Sequence, residues 1–274
     1  MRRGIALLAF SACRYHFDAL DRTGSGTDGN DGISDSVVVD GRPTDGTQMT
    51  RRAPRAIARV AGQQINDASV FATRNMTLAA GTFLVVDVAA SLISRGTPRS
   101  PTTVTLPGVN FTRLHEFIDS VDGYYSVSRW VAKVPSAQTA VVTITFPVQM
   151  EIALWSVTEL QQTDMTMPTA AFGSLQGEVV TNRTQHTTVM PAATVAGSGV
   201  LVSFVAEGPN AASPLQGSSL APYVELADQG GDSGGVALSL VTVFRESYDA
   251  APALTWSGQA NRSMALGAEI IGSE

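Results

Sequence analysis

Residues 83–90 read FLVVDVAA and residues 200–207 read VLVSFVAE, and the segments that follow each of them keep the same order. FTRL at 111–114 is matched by YVEL at 223–226, and TITF at 143–146 by ALTW at 253–256. IALWSVTE at 152–159 is then matched by MALGAEII at 264–271. The first three matches are offset by 117, 112 and 110 residues, so the first half has the longer loops while the strand order holds. A chain that passes twice through the same apolar segments of strand length has few ways to fold. Either half alone would leave one hydrophobic sheet face bare, so the two are expected to pack face to face. The expectation is an all-β, jelly-roll-like sandwich of about ten strands in two similar halves.

The individual segments agree with strands. FLVVDVAA is a near-continuous apolar run of strand length. YYSVSRWVA at 124–132 alternates, with Tyr125, Val127, Arg129 and Val131 on one face and Tyr124, Ser126, Ser128 and Trp130 on the other. AVVTITF at 140–146 puts Val142, Ile144 and Phe146 on one side, and IALWSVTEL at 152–160 is apolar on both, as a central strand should be. Pro98, Pro101, Pro107 and Pro135 cannot donate to a ladder and mark loops between these strands. The 25 glycines and 13 prolines, in a chain rich in Thr, Ser and Val, point to strands and turns rather than helices.

The start of the chain reads differently. Met1-Arg2-Arg3 is followed by the apolar run from Gly4 to Phe10 and by Ser11-Ala12-Cys13, and Cys13 is the only cysteine, so it has no internal disulfide partner. This beginning resembles the secretory signal of bacterial lipoproteins, with residues 1–12 as signal peptide and Cys13 as the acylated first mature residue. The resemblance implies attachment to a membrane of the cell envelope, the outer membrane being the expected one. Residues 14 to about 50 have no apolar periodicity and carry Asp-Gly pairs at 28–29, 31–32, 40–41 and 45–46. Such a stretch cannot bury enough surface to offset its ordering entropy, so 13–64 is expected to be a tether and 65–274 the folded domain. DGNDGISD at 28–35 lacks the ligand an EF-hand needs at its fifth position, where Gly32 stands. Arg51, Arg52, Arg55 and Arg59 fall within nine residues, either as a basic cluster for anionic head groups or as a solvated end of the tether.

Chemistry is harder to find. Gly231-Asp232-Ser233-Gly234-Gly235 matches the nucleophile segment of chymotrypsin-like proteases, but Val236 replaces the following proline and no flanking cysteine exists. Neither His115 nor His186 has the context of a catalytic histidine. The five residues occupy the place of SVDGYY at 120–125 in the first half, which predicts a hairpin turn. Glu151, Glu159, Glu178 and Glu207 show no spacing diagnostic of a glycosidase, and the three histidines are too scattered to argue a metal site. Tyr124, Tyr125 and Trp130 form the densest aromatic group, either core or a platform for a sugar ring. A net charge of −6 argues against a nucleic-acid partner.

The sequence therefore points to a lipid-anchored envelope protein with no catalytic residues, metal or cofactor. Its sandwich would serve as a binding or structural module contacting glycan or another envelope protein, with Tyr124, Tyr125 and Trp130 as contacts. The strand rhythm resembles sandwich modules of bacterial surface and phage structural proteins. The competing reading is a hydrolase acting on envelope or external polymer.

Overall fold

The computed structural model describes residues 51–92, 100–118, 125–164, 172–208, 216–217, 223–233, 236–247 and 253–274. Cys13, Tyr124 and the expected tether up to residue 50 lie outside these residues. Every regular element described is a strand: β1 (Arg55–Ala72), β2 (Met76–Leu78), β3 (Phe83–Ser91), β4 (Thr103–Leu106), β5 (Val109–Asn110), β6 (Thr112–Ile118), β7 (Tyr125–Lys133) and β8 (Gln138–Ala140). Then follow β9 (Thr143–Gln161), β10 (Phe172–Val189), β11 (Gly199–Glu207), β12 (Gln216–Gly217), β13 (Val224–Ser233), β14 (Val236–Arg245) and β15 (Ala253–Ile270).

The principal strands of the two halves form two antiparallel sheets of the same topology, and β2 and β8 make a third, two-stranded sheet. In the first, β1 pairs with β9, and the order continues β9-β3-β7-β6. In the second the order is β10-β15-β11-β14-β13. Taken in chain order, the five principal strands of each half occupy the same places in their sheet. Each half fills one layer. A jelly roll passes its strands back and forth between layers, whereas here the first sheet is complete before the second begins. The result is a β-sandwich of two similar halves.

One face of each sheet meets the other sheet. Phe83, Val85, Val131 and Leu160 pack against Leu201, Phe244, Ala268 and Ile270. Further along the strands, Ala89, Tyr125, Val127, Ile152 and Leu154 meet Val205, Leu238, Leu240, Met264 and Leu266. Burying each such large side chain stabilises by about 1.5–3 kcal/mol before ordering entropy is charged. The opposite faces have cores of their own, one around Val86, Val88, Trp130, Trp155 and Phe146, the other around Val202, Phe204, Val241 and Met190. This explains why β3 and β11 are buried along their whole length and largely apolar: both their faces are covered.

At the centre of the inter-sheet core sits an ion pair. Arg129, fully buried, donates from Nε to Asp87 Oδ1 at 2.7 Å and from Nη2 to Asp87 Oδ2 at 3.0 Å. It reaches across to the second sheet, to Ser203 Oγ at 3.0 Å and the Leu201 carbonyl at 3.3 Å. Ser203 in turn donates to Asp87 Oδ2 at 2.6 Å and lies 3.1 Å from Thr242 Oγ1. Asp87 pairs with Arg129 in the first sheet as Ser203 pairs with Thr242 in the second, so the charged pair of one half faces the hydroxyl pair of the other.

Three details depart from the sequence reading. The folded unit begins earlier than residue 65, because β1 starts at Arg55 and runs beside β9. Arg59 Nε donates to the fully buried Glu159 at 2.6 Å, and Arg51 bonds to Glu274 at 2.9 Å and to the Gly272 carbonyl at 3.0 Å. Two of the four clustered arginines are thus held within the fold. Ala140 ends the separate strand β8, whereas residues 143–146 and the segment at 152–160 are parts of one long strand, β9. Pro147 is tolerated within it because β9 changes neighbours there, from β4 at 143–145 to β3 at 152–160. Finally, pairing Phe83 with Val200 is one residue out. Phe83 faces the other sheet and Val200 faces away, and the matching ladders Phe83–Leu160 and Gly199–Ile270 give an offset of 116.

Candidate functional site

The edge hairpins β6–β7 and β13–β14 carry the same irregularity. The register slips between Arg113 and His115 in the first and between Glu225 and Ala227 in the second, leaving Leu114 and Leu226 as the extra residues. Both leucines pack against the inter-sheet core. Each bulge flips the alternation, so that residues three apart in sequence come onto one face of the strand. In the first half those residues are Arg113 and Glu116, opposite Trp130 and Ser128. In the second they are Glu225 and Asp228, opposite Val243 and Val241.

Arg113 and Glu116 line a groove of about 800 Å³ on the outer face of the first sheet, with Ser100, Pro101, Thr102, Trp130 and Val148 among its walls. Arg113 Nη1 donates to Glu116 Oε1 at 2.6 Å. The guanidinium also lies over the Trp130 ring, 5.6 Å from its centroid, close enough for a cation–π attraction. Trp130 is itself fixed by a bond from Nε1 to Ser128 Oγ at 2.9 Å. Thr102 is anchored to the Thr145 carbonyl through both its amide, at 2.7 Å, and its hydroxyl, at 3.1 Å. With side chains 41% and 31% exposed, Arg113 and Glu116 are the charged groups the groove presents to solvent.

In the second half the equivalent pair is two carboxylates. Burial, and then the charge of Glu225, raise Asp228 from 3.8 to about 6. Burial raises Glu225 as well. An Arg–Glu ion pair in one hairpin therefore corresponds to a carboxyl pair that resists full ionisation in the other.

The aromatic residues singled out from the sequence separate. Tyr125 is wholly buried in the core between the sheets and presents nothing to a ligand. Trp130, 6% exposed, forms part of the groove, but with Arg113 over its ring it is no open platform. Tyr124 lies outside the described residues. The residues that reading missed are Arg113 and Glu116. Strict alternation sets them on opposite faces, and a bulge leaves no mark in the periodicity.

Ser233 ends β13 and pairs with Val236 at the start of β14, so only Gly234 and Gly235 join the two strands, as a hairpin requires. His186 lies on β10 at the other edge of that sheet, with three strands between, roughly 19 Å at about 4.8 Å per strand. His115 belongs to the other sheet, on edge strand β6, whereas β13 packs against β1 and β9. Burial, and then the nearby Arg129 guanidinium, lower the His115 pKa. Among the described residues no three His, Cys, Asp or Glu side chains gather as metal ligands. Glu159 is committed to Arg59, Glu207 is buried at the end of β11, and the Glu178 side chain lies outside the described residues.

No protein-family model matches this chain, and neither curated proteins nor solved structures show a significant match.

Proposed function

We propose that this chain is a lipid-anchored protein of a bacterial envelope whose β-sandwich is a non-catalytic binding module. The groove bounded by Arg113, Glu116 and Trp130 carries the binding part of this reading, because it places paired donors and acceptors in an open depression on an otherwise covered sheet face. The anchor rests on the sequence alone, on Arg2-Arg3, the apolar run and the single Cys13. Its partners are the membrane, through the acyl group, and an envelope polymer or protein at the groove; the acidic balance does not suit nucleic acid.

Metabolic labelling with palmitate tests the anchor. The wild type should take up label and sediment with membranes, and Cys13→Ala should do neither. A wild type that stays unlabelled and soluble refutes it. A hydrolase acting on the same kind of polymer is the second reading, and Asp228 favours it, since a carboxyl held near 6 beside Glu225 suits a general acid. Polymer turnover that is lost in Asp228→Asn while the fold is retained would establish that reading over the first.

A further inference from the structure

We propose that the groove over Trp130 takes a neutral, hydroxyl-rich ligand, a sugar ring of an uncharged polysaccharide. This rests on the binding-module reading and names the ligand class for it. The first ground is charge. The two ionised residues lining the groove, Arg113 and Glu116, neutralise one another at 2.6 Å. An anion drawn to the guanidinium meets the carboxylate beside it, and a cation drawn to the carboxylate meets the guanidinium. Either must break the existing pair, whereas a neutral ligand keeps it.

The second ground is the hydrogen-bonding pattern. Nη1 is engaged with Oε1, which leaves further guanidinium N–H donors and the second carboxylate oxygen on adjacent groups. Two neighbouring hydroxyls match this arrangement, one accepting from Arg113 and one donating to Glu116. Both bonds would be charge-assisted, the stronger kind. The third ground is preorganisation. Trp130 holds the guanidinium against its ring and is itself held by Ser128, so little rotamer freedom remains to be lost on binding. The fourth is the wall. Pro101, Pro147 and the exposed Val148 offer an apolar surface next to the ion pair, as the C–H face of a pyranose needs.

The test uses the full chain and hexasaccharides of three kinds: neutral (glucan, mannan and galactan), anionic (galacturonan) and cationic (deacetylated chitin), together with a neutral Gly-Ser-Thr peptide. Binding is read by titration calorimetry and by the resonance of the Trp130 indole N–H. At least one neutral sugar should bind and shift that resonance, with affinity lost about tenfold in Arg113→Ala and in Glu116→Gln. Both variants should melt within a degree or two of the wild type, their side chains being partly exposed. A charged hexamer binding tenfold more tightly than every neutral one overturns the ligand class and leaves the binding module standing. The peptide binding in place of the sugars does the same. If no probe moves the Trp130 resonance, both this inference and the groove as a binding site fall.

Discussion

Asp87→Asn removes one charge from the buried centre of the sandwich and leaves Arg129 facing it. The wild-type guanidinium makes four hydrogen bonds there, two to the Asp87 carboxylate and two to the second sheet. Breaking a buried pair on one side typically costs about 3–5 kcal/mol, because the remaining charge has no counter-ion and no water. For a fold of this size each kcal/mol lowers the melting temperature by about 2–4 °C, so the variant should melt about 6–20 °C below the wild type. Replacing the charged pair together with the hydroxyl that bridges it behaves differently. Asp87→Val with Arg129→Met and Ser203→Ala removes both charges and the hydroxyl that depended on them, and should recover most of the loss. Urea unfolding followed by circular dichroism measures both. An Asp87→Asn loss under about 1 kcal/mol, or a triple variant worse than the single, would refute the account of this cluster as a mutually dependent unit.

Two further outcomes concern the second half and the N-terminal boundary. The folded-state pKa of Asp228 is raised, so the native state holds a proton that the unfolded chain releases between about pH 4 and pH 6. Stability from this group is therefore complete below pH 4 and lost as pH rises through 6; with solvent screening the effect is about 1 kcal/mol, and Asp228→Asn should abolish that slope in melts run from pH 4.5 to 7.5. A chain starting at Arg51 should melt with the full-length protein, whereas one starting at Gln64 loses Arg59, strands buried Glu159 and should be destabilised by about 3 kcal/mol or more; equal melting temperatures would show that the start of β1 is dispensable.

The sandwich was legible because its signal is redundant. Period-two alternation in YYSVSRWVA placed Tyr125, Val127, Arg129 and Val131 together, and the structure puts that face between the sheets. What escaped were the places where the period breaks. A bulge at Leu114 brings Arg113 and Glu116 together, and strict alternation parts them. The segments at 140–146 and 152–160 read as separate, yet β9 runs from Thr143 through Pro147 to Gln161 because its neighbours change there. The start of β1 has mostly small or polar residues, so its membership of the sheet depends on β9 and Glu159, far along the chain. The site was less legible than the fold, since aromatic content flagged Trp130 but not the arginine that covers it.

The filling of one layer by each half has a consequence for how the protein is made. As the chain leaves the ribosome, the first sheet has all its principal strands once residue 161 has emerged, but its inner face waits for a partner not yet translated. That face includes Phe83, Val85, Val131 and Leu160, together with the half-satisfied Arg129. The second sheet cannot close early, because its last strand, β15, lies between β10 and β11 and bonds to both. Until residues 253–270 arrive, β10 has no neighbour in the ladder and β11 shows an open edge. A nascent chain in this condition exposes the apolar surface and strand edges that chaperones recognise and that neighbouring polysomes can join. Losing β15 to a premature stop would therefore leave the second sheet unfinished and the inner face of the first sheet bare, rather than a shortened sandwich.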